Sequence, residues 1–208
     1  MKIETININN NINTYKATED TQYILQMDTS NNKYKSINEI SLDFILEKED
    51  LNLQIIGPMI IREEQNIKIS IQVKHMVPNT SCEVLIKSVI FPNSSLDFLG
   101  RIYIDNDSRN TTASLKDNSL LIGEGARKFS RPVLEIHNND VKAFHGSASG
   151  NIDPLSLYYL QSRGLNKSQS ENILIEGFLD DLINRINDRG IRDKLIKELK
   201  FKEKEPII

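Results

Sequence analysis

Three histidines and a single cysteine hold most of the chemistry that this 208-residue sequence offers. No two of His75, His137 and His145 have the helical spacing of a zinc-protease motif. His137 and His145 flank Asp140 in a strand-rich stretch, and three such groups can hold a metal; surface or turn positions are the commoner account. His145 is set apart by the small residues on its C-terminal side, in Phe144-His145-Gly146-Ser147-Ala148-Ser149-Gly150. They let a ligand or a partner chain approach the backbone closely. Cys82, in Ser81-Cys82-Glu83-Val84, reads as a small strand residue. A reactive thiolate needs a positive neighbour that the sequence does not place.

Other chemistries lack their residues. Gly123-Glu124-Gly125 has neither the Lys-Ser/Thr of a phosphate-binding loop nor the third Gly of a dinucleotide fingerprint. Gly146-Ser147-Ala148-Ser149-Gly150 does not have the spacing of a Gly-x-Ser-x-Gly elbow. Acidic residues are scattered, so no carboxylate pair can be nominated. There is no Trp, and basic residues are not interleaved with aromatics, which argues against a single-stranded nucleic-acid platform. A net charge of −3 gives no general attraction to nucleic acid or anionic lipid. One cysteine excludes an internal disulfide framework and suits a reducing cytoplasm. The N-terminus has no apolar h-region of a secretory signal. The longest apolar run, residues 55–61, is interrupted by Gly57-Pro58 and is far short of the roughly 20 residues a membrane helix needs. With 38% hydrophobic and 26% charged residues, the composition is that of a globular, cytoplasmic chain.

The elements that must position these residues are short strands for three quarters of the chain. Ile67, Ile69, Ile71 and Val73 alternate with Lys68, Ser70, Gln72 and Lys74, one face buried and one wet. Leu42, Phe44 and Leu46 do the same, as do Leu51, Leu53 and Ile55. Further strands are expected at Tyr23–Met27, Glu83–Ile86, Arg101–Ile104, Leu120–Ile122, Val133–Ile136 and Val141–Phe144, with breaks about every ten residues. That spacing fits a sandwich, a barrel or a solenoid. No Asn-Gly or Asp-Gly dipeptide occurs, so the strongest tight-hairpin signal is missing and the solenoid gains. From residue 152 the period becomes helical. Asp153-Pro154 predicts an N-cap and first helical position, with the helix ending near Gly164. Ser168-Gln169-Ser170-Glu171 reads as a capping box before a stripe of Leu174, Phe178, Leu182 and Ile186. Gly190 interrupts, and Ile191, Leu195, Ile196 and Leu199 predict a third helix before a charged tail that frays. The division is thus a β body over 1–151 and a helical subdomain over 152–208.

The segment from Pro132-Val133-Leu134-Glu135-Ile136 through Val141 and Phe144-His145-Gly146-Ser147 to Gly150 resembles the SufB/SufD family. These are scaffold components of the SUF iron–sulfur cluster assembly machinery. The likeness continues through Leu157-Tyr158-Tyr159-Leu160-Gln161-Ser162-Arg163-Gly164-Leu165 to Gly177-Phe178. Upstream, His75-Met76-Val77-Pro78-Asn79-Thr80-Ser81 and Ser119-Leu120-Leu121-Ile122-Gly123 are similar to two more family segments.

The resemblance implies a mainly β fold, a right-handed parallel β-helix with a small C-terminal helical subdomain. It implies a non-enzymatic subunit whose helices dock a SufC-like ABC ATPase through Tyr158, Tyr159, Arg163, Gly164 and Phe178. The same helices can also serve as a lid on the open end of the solenoid. It implies pairing with a second SufB/SufD-type β-helix, as a heterodimer or a homodimer, near His145, Glu135 and Asp140. His145 would be the metal-facing residue. No cofactor would stay bound; an iron–sulfur cluster would pass transiently through the dimer interface. No nucleic acid or membrane partner is implied. Asp117 stands where SufB has a cysteine, and Ala143 stands where many members have another. A SufD-like accessory role therefore fits better than a sulfur acceptor, since clusters favour thiolate ligands. The chain opens on strand-like sequence, as a short member lacking the family's N-terminal helical region would. The alternative is an acyltransferase on a left-handed hexapeptide β-helix with His145 as general base, suggested by Ile122-Gly123-Glu124-Gly125-Ala126. Its six-residue period does not persist. A carbohydrate-active β-helix is a third option, without the signal peptide or clustered acids it would carry.

Overall fold

A computed structural model describes residues 1–8, 12–27 and 38–199. Within them the chain forms β1 (Lys2–Ile8), β2 (Ile12–Ala17), β3 (Thr21–Met27), β4 (Asn38–Leu46), β5 (Asn52–Ile61) and β6 (Asn66–His75). Then come β7 (Ser81–Ile90), β8 (Ser95–Ile104), β9 (Thr111–Leu121), β10 (Arg127–Ile136) and β11 (Val141–Asn151). Three helices complete the described chain, α1 (Pro154–Ser162), α2 (Lys167–Ile183) and α3 (Arg189–Leu199). The odd strands make one sheet in the order β1-β3-β5-β7-β9-β11, and the even strands make a second, β10-β8-β6-β4-β2. Every pairing is parallel. The chain therefore winds as a parallel β-solenoid, each turn contributing one strand to each sheet. Sheet partners Leu53, Cys82, Ala113 and Ala143 fall one above another, a repeat of about 30 residues. The two-sheet section and its long repeat leave no six-residue period, which disfavours the hexapeptide alternative.

The corners explain the missing hairpin dipeptides. Asp50, Glu64, Asn79, Asn93 and Asn110 take left-handed backbone conformations, φ between 54° and 63°. Asn and Asp tolerate that region best among residues with a side chain. Asn110 also donates its side-chain amide to Asn79 of the turn below, at 2.9 Å. At Gly125 (φ +73°) a Cβ would sit 2.6 Å from Asn93 Oδ1, so this corner needs glycine.

The core lies between the sheets. Phe44, with Phe98 one of its two largest fully buried side chains, is stacked on Tyr15 (5.2 Å between ring centres) and tilted against Tyr23 (5.0 Å). Leu115 occupies the space beside Gly100, where a Cβ would come within 2.5 Å of it. The even strands β4, β6 and β8 alternate buried and part-exposed residues, because their outer face meets water. Strands β3, β5 and β7 are buried on both faces, which is why Ile55–Ile61 reads as a continuous apolar run.

The helices supply that second cover. Leu182 and Ile186, with Leu195 of α3, pack on Ile24, Ile56 and Leu85. Ile175, Leu179 and Ile183 pack on Ile60, Val89 and Ile122. So the helices are not a lid on the open end; they lie along the outer flank of the six-stranded sheet. Polar contacts fix them. Lys87 donates to Phe178 O (2.6 Å) and pairs with Asp181. Gln22 donates to Arg185 O (2.9 Å) and accepts from Asn187 N (3.0 Å), clamping the α2–α3 turn. Two local readings change. The capping box is made by Asn166 and Gln169, each side chain accepting from the other's backbone N–H, rather than by Ser168 and Glu171. Gly190 lies inside the first turn of α3 rather than before it. The tail over 200–208 lies outside the described residues.

Candidate functional site

Two surfaces combine unusual exposure with the residues singled out by the sequence. The first is the last turn of the solenoid. β10 and β11 are the terminal strands of their sheets, so each offers one unpaired backbone edge. Their inward side chains have no further turn above them. His145 is in register with Leu115, which points into the core, so His145 stands over the interior at the middle of this open face. It is exposed. A Cβ added at Gly146 or Gly150 would meet nothing within 4 Å, so the small residues leave open space beside the strand.

Beneath Ser147, two residues along β11 from His145, lies a polar cluster that spacing did not reveal. Asp117 of β9 is fully buried, and the side chain of Lys128 on β10 is 3% exposed. Lys128 Nζ is 2.8 Å from Asp117 Oδ1, and Ser130 Oγ donates to Oδ2 at 2.7 Å. The Lys128 ammonium also lies 5.0 Å over the Phe98 ring. Burial pulls the lysine below its ordinary pKa, opposed by the Asp117 charge. The pair joins the two sheets from 11 residues apart, a separation no single-strand or helical period flags.

Glu135 and Asp140 do not join His145. Glu135 pairs in register with Tyr103 on the outer face of the five-stranded sheet, its carboxylate 3.3 Å from His137 Nε2. Asp140 sits in the turn between β10 and β11, its carbonyl accepting from Asn110 N. Among the described residues no group of three or more His, Cys, Asp or Glu side chains could hold a metal.

The second surface is the face of α1. Asp153 caps this helix as the sequence predicts, accepting from Leu155 N and Ser156 N. Gly164 comes just after it at φ +95°. None of its residues is buried. Leu155 is 72% and Tyr158 68% exposed, and Tyr159 is also open. Together with Ile173 and Leu174 of α2 they line a cavity of about 600 Å³. Arg163 lies 5.3 Å from the Tyr159 ring centre, at the end of the same face. Phe178 does not share this groove. It packs toward Ile175 and Leu179's cluster on the sheet, with the Lys87 ammonium 4.7 Å over its ring.

Two further titratable groups are interior. Cys82 is buried, which pushes its thiol up to about 12 and makes it unreactive. His75 is fully buried, with Nδ1 2.7 Å from Thr80 Oγ1 and Nε2 without a partner. Burial lowers its pKa to about 4 from an ordinary 6.5. The folded state thus refuses a proton that the unfolded chain accepts. This contribution to stability is complete above pH 6.5 and falls as pH drops towards 4. We expect a loss on the order of 3 kcal/mol over that interval, read from urea midpoints. His75→Gln should flatten the decline; an equally steep decline in that variant would assign it to other groups.

Comparison with known proteins now bears on these surfaces. Residues 9–178 match the family described as "SUF system FeS cluster assembly, SufBD core domain". The iron–sulfur cluster assembly protein SufD of Bacillus subtilis is 31% identical over 143 residues, covering 69% of this chain and 33% of that protein. SufD of Escherichia coli is 30% identical over 113 residues, 54% of this chain and 27% of that protein. A SufBD family protein of Mycobacterium leprae is 28% identical over 151 residues, 69% of this chain and 38% of that protein. The chain therefore spans about a third of the length of these relatives. The match takes in nearly all of the solenoid, its open last turn and the helices as far as Phe178, and the chain belongs to the SufBD core family of SUF iron–sulfur cluster assembly.

Proposed function

We propose that this chain is a non-enzymatic scaffold subunit of iron–sulfur cluster assembly. It docks a SufC-like ATPase on its C-terminal helices and joins a second SufB/SufD-type β-helix through its open last turn. The observation that carries the reading is the pair of bare edges on β10 and β11. Edges of 10 and 11 residues are normally blunted or covered in a protein that acts alone. Among the described residues no further strand pairs with them, although Pro132, Arg127 and Arg131 partly blunt β10, and addition of another chain's strands would satisfy what remains. His145 would then stand inside the join, where an imidazole can bind or relay a proton to a cluster in transit. The cluster is cargo in this scheme. The buried, unreactive Cys82 agrees with a role other than sulfur acceptor.

The α1–α2 groove supports ATPase docking. Its exposed tyrosines, with Arg163 beside Tyr159, are the residue types that anchor interfaces. It sits on a helix pair held to the sheet by Lys87 and Gln22, so a movement of the ATPase would reach the solenoid directly. Removing residues 152–208 would strip the cover from Ile24, Ile56 and Ile60, so a surface variant gives the cleaner test. In a pull-down or titration with a SufC-like ATPase, Tyr158→Ala/Tyr159→Ala should weaken binding by about 100-fold, the equivalent of ~2.7 kcal/mol at an interface anchor. Unchanged affinity would refute docking on this groove.

A further inference from the structure

We propose that the docked ATPase lays its main chain across α2 at Gly177, and that α2 carries a glycine there, at a cost in helix stability, to admit that close approach. This rests on the docking proposed above and names its tightest point.

Other glycines have a reason within the chain. Gly57 and Gly100 are compelled by packing, since a Cβ there would come within 2.7 Å of Ile86 and 2.5 Å of Leu115. Gly123, Gly125 and Gly164 hold positive φ. Gly177 has neither reason. It lies inside the 17-residue α2 with helical backbone, and a Cβ added to it would meet nothing within 4 Å. Only proline is less favourable inside a helix. The free chain would therefore gain from alanine at this position.

The wheel of α2 shows what the gap faces. Ile175, Leu179, Leu182 and Ile183 are its buried side, and Gly177 points directly away from them. One turn earlier on the same outer side, Ile173 and Leu174 line the cavity shared with Leu155, Tyr158 and Tyr159 of α1. Gly177 thus continues the floor of that groove as a low point, where another backbone can come close. Its flanks are acidic. Glu176 and Asp180 are exposed beside it, Asp181 is taken by Lys87, and no basic residue lies between Ile173 and Asp181. The segment laid across Gly177 must bring lysine or arginine to Glu176 and Asp180. A second copy of the same face would set carboxylates on carboxylates, so the charge favours a different partner.

Gly177→Ala should raise the thermal midpoint of the free protein by about 2–4 °C. The same variant should weaken binding of the SufC-like ATPase by about ten-fold, and Gly177→Leu, which fills the gap, by about 100-fold. A glycine needed only by the fold would lose stability and affinity together, so the opposite signs are diagnostic. Glu176→Lys/Asp180→Lys should weaken binding by about ten-fold at low salt and by less at high salt. Circular dichroism checks that each variant is folded. If Gly177→Leu binds as tightly as the parent while Tyr158→Ala/Tyr159→Ala does not, docking stands and this inference is overturned. If both bind as the parent does, docking on the groove fails with it. A lowered midpoint in Gly177→Ala assigns the glycine to the fold and overturns the inference. So does a Gly177→Leu variant that keeps the ATPase but loses a dimer seen by light scattering, which gives the face to a second copy. Unchanged affinity after the charge reversal overturns the basic character of the partner segment.

Discussion

Asp117→Ala will lower the stability of the protein by about 3–5 kcal/mol, seen as a fall in the urea midpoint at unchanged slope. The substitution leaves Lys128 inside with its ammonium unpaired, its side chain 3% exposed. It also leaves the Ser130 hydroxyl without the carboxylate it now donates to. Burial already works against the lysine's charge, and Asp117 is the largest influence opposing it. Without Asp117 the amine must lose its proton or drag its chain toward solvent. Removing both charges together, as Asp117→Leu/Lys128→Met, should cost much less than the single change, because the desolvation penalty of the pair goes as well. A single variant within about 1 kcal/mol of the parent would mean that Lys128 finds another partner and that the cluster is not the anchor described here.

Phe44→Ala is expected to destabilise by about 3–5 kcal/mol, with Phe44→Leu costing less. The ring is 1% exposed and touches aromatic neighbours on two strands, Tyr15 below it in the same sheet and Tyr23 in the opposite one. Alanine would leave a cavity that stacked strands on either side cannot close, since their backbone positions are fixed by parallel ladders. Urea unfolding followed by tyrosine fluorescence would read both the stability loss and the changed surroundings of Tyr15 and Tyr23. Equal midpoints for the Ala and Leu variants would show that the site collapses around the lost ring.

How much can be read from the residues alone depends on the physics of each sheet. Strands with one wet face announce themselves by alternation, as Ile67 to Val73 do. Those covered by helices do not, so Ile55–Ile61 marks a strand only once its second neighbour layer is known. β1 and β2 were legible only as strand-like sequence without bounds, because Thr and Asn break both patterns there. The register of β1, β3 and β5 needed coordinates for the same reason. His145 could be found from its small-residue setting, and its place over the core comes from counting by twos from Ala143. Glu135 fails the same count, falling on the outer face. The Asp117–Lys128 pair was invisible because the two residues lie on different sheets, and nothing local distinguishes either from a surface charge.

Because every strand bonds only to those one coil before and after it, damage in this molecule has a short reach. A lesion at Phe44 and one at Asp117 fall on coils separated by others, and their energetic penalties should simply add. The chain behaves as a stack of semi-independent floors, in which the top storey can be rebuilt for a new neighbour without re-engineering the foundations.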